Sequence, residues 1–461
     1  MRKYTLSIAT AVLLASASTA ALAQDSGPVT LQEAVSVAMK SNPEIIQAQM
    51  NTEAIQAERK QAQGLYAPRV DLEASAGVRR LENTTRRNLG IADQELYPLE
   101  VGGVLDWTLI DFGRRRGELL RQAARVDGAS LRVVERSEFI ALQIARQYFD
   151  VLLQQRVAAA STDNVTFHQM LVGDLGKGVE QGSISIADRQ QAEERLQSAL
   201  VRQTEAQQDL QDARIELQRL TGLDISQVVL PPNLAPALPS SLDEAVGLAR
   251  TKHPKVREAM ADVDASTAMV KAAEGDLYPT VGVELRGRYG DDIDGFRGET
   301  NDLQARAVMR WNIFDGGINR AKVQEMVRRA SQSRYRLHEL QREAEADVRT
   351  AWTTMNSQAD IVGKVERQSQ VSDDLLLSYR SQFNVGRRSL LDAQNTRYNT
   401  QVRLETSRFS QLFAQYQTLA ATNNLLDALS IAPGAGAGME ERTRFDFGPP
   451  APAELPRRVY P

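Results

Sequence analysis

Val104-Leu-Asp-Trp107-Thr-Leu-Ile-Asp111-Phe-Gly113 comes back about two hundred residues later as Val308-Met-Arg-Trp311-Asn-Ile-Phe-Asp315-Gly-Gly317. Each copy is an alternating segment that runs into a tryptophan and then into an Asp-x-Gly break. The match belongs to an ordered series. Leu31-Gln-Glu-Ala-Val35 with Asn42-Pro43 returns as Leu242-Asp-Glu-Ala-Val246 with His253-Pro254. Gly182-Ser-Ile-Ser185-Ile-Ala-Asp188 returns as Gly386-Arg-Arg-Ser389-Leu-Leu-Asp392. Solenoid repeats are far shorter, whereas doubled membrane proteins carry weak internal symmetry of this kind. The chain is therefore expected to hold two repeats, 24–222 and 242–431, joined by a Pro-rich linker at 223–241 and followed by a Pro/Gly/Ala-rich, disordered tail at 432–461.

Working outward from the tryptophans, four segments alternate with period two, which predicts strands at about 69–80, 98–110, 280–290 and 302–314. In the first, Val70, Leu72, Ala74, Ala76 and Val78 share one face, and Arg69, Asp71, Glu73, Ser75 and Arg79 the other. The fourth sets Leu303, Ala305, Ala307, Met309, Trp311 and Ile313 against Gln304, Arg306, Arg310 and Asn312. About ten residues is the length a tilted strand needs to cross a bilayer. One charged face and one apolar face suit a wall between water and lipid, although alternation alone also fits a half-buried sheet in a soluble domain. Tyr66, Trp107, Tyr278 and Trp311, with Phe112 and Phe314, all fall at one end of the strands, as an interfacial aromatic girdle would.

Four strands have two open edges, and open edges cannot face hydrocarbon. Closure with other copies is required. Three chains give twelve strands, an even number with room for a lumen. Two would give a tight eight-stranded barrel filled by its own side chains.

The N-terminus supports export. Arg2 and Lys3 precede an apolar stretch and Ala21-Leu22-Ala23, so residues 1–23 read as a signal peptide. Without Arg2 and Lys3 the chain has 53 basic and 59 acidic residues, a net charge of −6, which argues against nucleic acid as a partner. There are no cysteines, hence no disulfide and no lipidated cysteine. No later stretch approaches the roughly 20 apolar residues of a membrane helix.

After each strand pair comes a proline-free segment, about 114–175 and 319–383, long enough for a helical rod of about 90 Å. Val323, Val327, Ala330, Leu337, Ala344, Val348 and Ala351 fall close to a heptad frame, with alanines that let helices approach closely. Each rod turns at a glycine-bearing loop, and Ser185…Asp188 and Ser389…Asp392 both fit the S-x-x-D capping pattern that starts a return helix. His168, His253 and His338 are far apart, and neither a phosphate-binding G-x-x-x-x-G-K-[ST] motif nor a nucleophile elbow is present. No cofactor, metal site or enzymatic activity is expected.

With these parts in order, the chain resembles the TolC family of outer-membrane channels across essentially the whole mature sequence. The likeness is carried by the Leu-x-Glu-Ala…Asn-Pro openings, the Tyr…Pro strand starts, the Trp…Asp-x-Gly junctions and the turns. Phe383-Asn-Val-Gly386-Arg-Arg-Ser389-Leu-Leu-Asp392 fits the family's aromatic-x-x-Gly-x-x-Ser/Thr-x-x-Asp pattern. The resemblance implies a homotrimer: a 12-stranded transmembrane β-barrel continued by a 12-helix periplasmic α-barrel. It implies an outer-membrane exit duct that partners a periplasmic adaptor (membrane fusion protein) and an inner-membrane transporter. The second turn and the Trp311 junction look most like the branch serving type I protein secretion; multidrug or small-molecule efflux is the alternative.

By the same resemblance, Asp188, Arg388 and Asp392, with Phe383 as turn aromatic, stand at the gate. Gly182, Ser185, Gly386 and Ser389 stand at adaptor-contacting turns. Two departures are visible: Val179 replaces the aromatic in the first turn, and Asn395 stands where some members place a second acid. A periplasmic adaptor or poreless coiled-coil scaffold also has long hairpins, but neither accounts for the paired strands.

Overall fold

The computed structural model describes residues 27–381 and 387–438. The expected signal peptide, the tail beyond 438, and Phe383 and Gly386 lie outside the described residues. The first half runs α1 (Leu31–Ser41), α2 (Pro43–Gly64), β1 (Arg69–Ala76), β2 (Arg79–Arg80), α3 (Thr84–Asn88), β3 (Glu95–Leu96), β4 (Leu99–Ile110), α4 (Arg114–Glu180) and α5 (Ile186–Thr221). The second runs α6 (Leu242–Lys252), α7 (Pro254–Gly275), β5 (Thr280–Asp291), β6 (Glu299–Arg310), α8 (Ile318–Ser381), α9 (Arg387–Ala421) and α10 (Leu425–Ala428). No described helix is long and apolar enough to cross a membrane.

The four main strands form one antiparallel sheet in the order β1-β4-β5-β6. Its register aligns the alternation from strand to strand. Val70 lies opposite Leu105, Leu105 opposite Leu285, and Leu285 opposite Ala305, so one face is apolar across the sheet. Glu73, Gly102, Arg288 and Asp302 form a matching row on the other. No described residue covers the apolar face. Leu72 is 80% exposed and Leu303 is 83% exposed, and β1 and β6 have no partner on their outer sides among the described residues.

Two strands differ in extent from the periodicity, and a third carries a bulge. The strand expected over 69–80 stops at Ala76; Gly77 bonds Pro98, and the chain turns into β2, α3 and β3. Elements of two to five residues carry no period to read. The strand expected over 302–314 runs 299–310, leaving Trp311 and Ile313 beyond its end. The cause lies across the ladder. Arg310 pairs with Thr280, and the next residue back is Pro279, which has no N–H to offer. In β4 the register shifts between Thr108 and Ile110, a bulge that sets Ile110 opposite Val281.

The 67-residue α4 is about 100 Å long and nearly twice the length of its return helix. Its first half is therefore flanked by α2 and α7, and its second half by α5 and α9. Gly117 lies so close to α7 that a Cβ there would stand 2.6 Å from the Ala272 nitrogen. In α5 the buried residues Ala192, Ala199, Ala206 and Ala213 recur every seven positions, a seam of small side chains. In α8 Ala330, Ala344 and Ala351 do the same beside Val348 and Val362.

The main core gathers midway along the rods. Leu31, Val35 and Met39 of α1 meet Ile140, Ile144 and Tyr148 of α4, Leu217 of α5 and Leu419 of α9. The Pro-rich stretch is tied to this core. Val228 bridges Val29, and the Tyr148 hydroxyl lies 2.7 Å from the Val229 carbonyl and 2.9 Å from that of Val29.

At the far end of the sheet, Arg86 of α3 is only 1% exposed. Its guanidinium donates to the carbonyls of Ile91 at 2.7 Å, Gln94 at 2.8 Å, and Gly295 in the β5–β6 loop. One side chain thus ties two hairpin loops together. Arg86→Ala strands one buried acceptor, the Gly295 carbonyl, and two part-buried ones, a loss of about 1–3 kcal/mol for each that water does not reach. The expected outcome is faster amide exchange and proteolysis confined to 79–98 and 292–298. Exchange unchanged in both loops would contradict the keystone role.

Candidate functional site

The end of the sheet that meets the rods is built by two similar junctions. In the first, the Asp111 carboxylate accepts from the N–H of Arg115 at 2.9 Å and from its Nε at 2.8 Å, fixing the start of α4. Phe112 at φ 49° and Gly113 at φ 99° make the tight corner before it, a conformation that favours glycine. The Arg115 guanidinium continues to the carbonyls of Thr108 at 2.6 Å, Leu109 at 3.1 Å and Leu65 at 3.3 Å. It also lies 4.6 Å from the centre of the Tyr66 ring. The side chains of Arg115 and Asp111 are 11% and 10% exposed, so strand end and helix start share one shielded ion pair.

The second junction is lighter. Asp315 accepts from the N–H of Asn319 at 2.8 Å and of Gly317 at 2.9 Å, with Gly316 and Gly317 both at positive φ. These backbone donors, Asn319 first, hold its carboxyl below the usual range. Asn319 stands where the first half has Arg115, and it reaches only the Asp276 carbonyl, at 3.3 Å.

The sequence-marked aromatics meet here. Trp107 donates to the Tyr66 carbonyl at 3.0 Å and Trp311 to that of Leu277 at 3.3 Å. The rings of Phe112 and Tyr278 stack 5.3 Å apart. All stay substantially exposed, from 42% for Tyr66 and Trp107 to 87% for Phe314. The two tryptophans are thus anchored through their indole N–H groups while much of each ring stays exposed. On the charged face of the sheet, Arg288 sits 3.0 Å from Asp294 and 3.4 Å from Asp302, and Glu284 pairs with both Arg306 and Arg310.

At the opposite end of the rods, α4 stops at a turn in which Ser183 N–H bonds the Gly178 carbonyl and Gly182 takes φ 70°. This is the glycine-terminated helix end, so Gly182 has a local conformational role. Ser185 caps α5, its hydroxyl accepting from the Ala187 N–H at 3.2 Å. Asp188 is half-buried in the first turn of α5, and Asp392 is exposed near the start of α9. The side chains of Arg388 and Ser389 lie outside the described residues. The two hairpin ends pack through Leu171 and Leu175 of α4, Ala192 of α5, and Leu390 and Leu391 of α9.

Sequence reading missed Arg202. It donates to Asn395 at 3.0 Å and lies 6.0 Å from the Tyr398 ring, linking the first hairpin to the second. Nearby, Gln394 donates to Asn164 at 2.9 Å. Only the departure at Asn395 hinted at this contact, and its partner 193 residues away carried no motif.

The sequence pattern that defines the family described as Outer membrane efflux protein matches residues 34–223 and 245–430. The chain belongs to that family. It is 25% identical over 303 residues to Protein CyaE of Bordetella pertussis, covering 64% of this chain and 62% of the relative. Over 290 residues it is 24% identical to outer membrane efflux protein BepC of Brucella suis, covering 61% and 63%. These alignments thus span less than two thirds of either relative. In fold it is similar to the CmeC outer membrane channel of Campylobacter jejuni, with a TM-score of 0.76 at 13% identity, covering 95% of this chain and 99% of that one. The protein is an outer-membrane protein with a periplasmic extension, of a family of channels rather than enzymes.

The unequal junctions give a prediction. Asp111→Ala leaves the shielded Arg115 without its partner and is expected to cost about 3–5 kcal/mol. Asp315→Ala removes only backbone capping and costs less. Thermal unfolding in detergent reads both; equal losses would show that the Arg115 bridge adds nothing.

Proposed function

We propose that three copies of this chain close their sheets into a 12-stranded barrel across the outer membrane, continued by a 12-helix tunnel through the periplasm. The carrying observation is the sheet. It has an exposed apolar face, an opposite charged face and two unpaired edges, and its long helices all leave from one end. Hydrocarbon accepts the apolar face but not the edges, so neighbouring copies pair β6 with β1. Tyr66, Trp107, Tyr278 and Trp311 then lie at the periplasmic interface, where aromatic rings are favoured. The charged face with Arg288, Glu284 and Arg306 lines the water-filled lumen.

In this reading the channel is passive. An inner-membrane transporter supplies the energy, and a periplasmic adaptor docks at the turns through Gly182, Ser185, Gly386 and Ser389. Cargo is exported protein, the reading favoured by the Phe383–Asp392 turn and the Trp311 junction. Small-molecule efflux is the second reading, favoured by the likeness to BepC, an outer membrane efflux protein. The gate is a ring at the turns. Arg388 pairs with Asp188 of an adjacent hairpin, with Asp392 as the further acid and Phe383 as the turn aromatic.

Planar-bilayer conductance tests this. Wild type is expected to show small openings and Arg388→Glu larger ones, because the pairing becomes a repulsion. A single exposed pair contributes less than ~1 kcal/mol, so the effect depends on a ring of them. Equal conductance in the two proteins would remove the lock, and failure of either to conduct would remove the channel.

A further inference from the structure

Twice in this chain a return helix ends where a short upper helix begins. In the first half, α5 ends at Thr221 beside the start of α2, and Asn42 spans the gap. Its Oδ1 accepts from the Glu44 N–H at 2.9 Å and its Nδ2 donates to the Leu220 carbonyl at 3.3 Å. One buried amide serves both helix ends. In the second half, α9 ends at Ala421, which packs into the cluster that holds Val256 of α7. The residue at the position of Asn42 is His253, which makes no capping bond; its buried Nδ1 has no partner.

A cavity of about 290 Å³ opens at this second joint, bounded by α4, α7, α8 and the end of α9. Two further orphaned acceptors line it. Glu138 of α4 is 7% exposed; its Oε1 accepts from the Leu426 N–H at 3.3 Å, but its Oε2 has no partner. Asn423, at φ 58°, terminates α9 and likewise leaves its buried Oδ1 unbonded. Three buried polar atoms without partners line one small space, and once the Glu138 carboxyl is ionised all three accept, which suits a guest that donates several hydrogen bonds. Phe139 and Leu142 add an apolar wall, and Glu135 and Asp347 two more carboxylates. Lys255 is the one lysine or arginine in the lining, and Arg136 lies 3.4 Å from Glu135. Among the described residues no His/Asp/Glu cluster suited to a metal ion occurs, and the apolar wall beside the acidic groups suits a guest with both a charged and an apolar part.

We propose that this cavity binds a small organic ammonium ion, its N–H groups on Glu138, His253 and Asn423 and its apolar body against Phe139 and Leu142. The guest completes the joint that Asn42 completes by itself in the first half. The reading does not depend on what the channel exports.

Protonation supports the assignment. Burial first, and Asp427 second, push the Glu138 carboxyl up to about 8, while the Leu426 and Leu425 N–H groups oppose this. Burial and then Lys255 lower His253 to about 4, against Glu343. The empty cavity at pH 7 therefore holds a neutral imidazole and a mostly protonated Glu138. An ammonium ion pulls the Glu138 proton off, so binding releases close to one proton at pH 7 and tightens as pH rises towards 8.

Calorimetric titration of the full-length protein in detergent with 2-phenylethylammonium chloride tests the proposal, with 2-phenylethanol as the uncharged control. Expected is saturable binding of the amine alone, with a heat that varies with the buffer's own protonation enthalpy. Glu138→Gln keeps the shape and should weaken binding by about tenfold or more and abolish the proton release. His253→Asn, which copies the first joint, should also weaken binding, and it carries the test if the Glu138 variant does not fold. No saturable heat up to about 10 mM, equal binding of the alcohol, or unchanged affinity in the variants would overturn the site.

Discussion

Backbone hydrogen bonds at the two edges of one sheet govern everything else. An N–H or C=O left bare in hydrocarbon costs several kcal/mol, and β1 and β6 each present a row of them. Side-chain chemistry cannot remove that cost, because the apolar face that suits lipid says nothing about the edges. Pairing with another copy can. The proposed trimer, its lumen and its exit function are consequences of meeting this one constraint while keeping one face charged.

The rods answer a second constraint, the reach from a membrane-sized sheet to a distant turn. Alanine seams at 192, 199, 206 and 213 in α5, and at 330, 344 and 351 in α8, let helices lie close along their whole length. Sheet and rods must also hold a fixed angle, and Asp111 and Asp315 supply it by capping the first turn of each long helix. The halves are alike in the order of their main helices and strands but unequal in these details. Arg115 faces Asn319 in the comparison, and Asn42 faces His253. In both pairs the first half closes its joint with its own side chain and the second leaves it less occupied.

Period-two alternation made the four main strands legible, because the register carries one residue's face across to the next strand. Long proline-free runs revealed α4 and α8 for the same reason: the signal extends over many turns. What escaped was short or distant. The bulge near Leu109 depends on its partner strand, not on local pattern. Arg86 looks like any loop arginine until the Gly295 carbonyl is beside it. Arg202 and Asn395, like Glu138 and Asn423, meet only once two halves of the chain are packed together. The aromatics were legible as a group, yet their anchoring through Trp107 and Trp311 N–H bonds was not.

Since the chain has no cysteine, pairing of β6 with β1 between copies can be read directly by disulfide trapping. Single cysteines placed along 70–76 of β1 are combined with single cysteines along 301–309 of β6, and the protein is oxidised in native outer membranes. The account predicts a ladder ending at trimer, strongest for pairs that match one antiparallel register. Crosslinks that stop at dimer, or that form only within one chain, would contradict it.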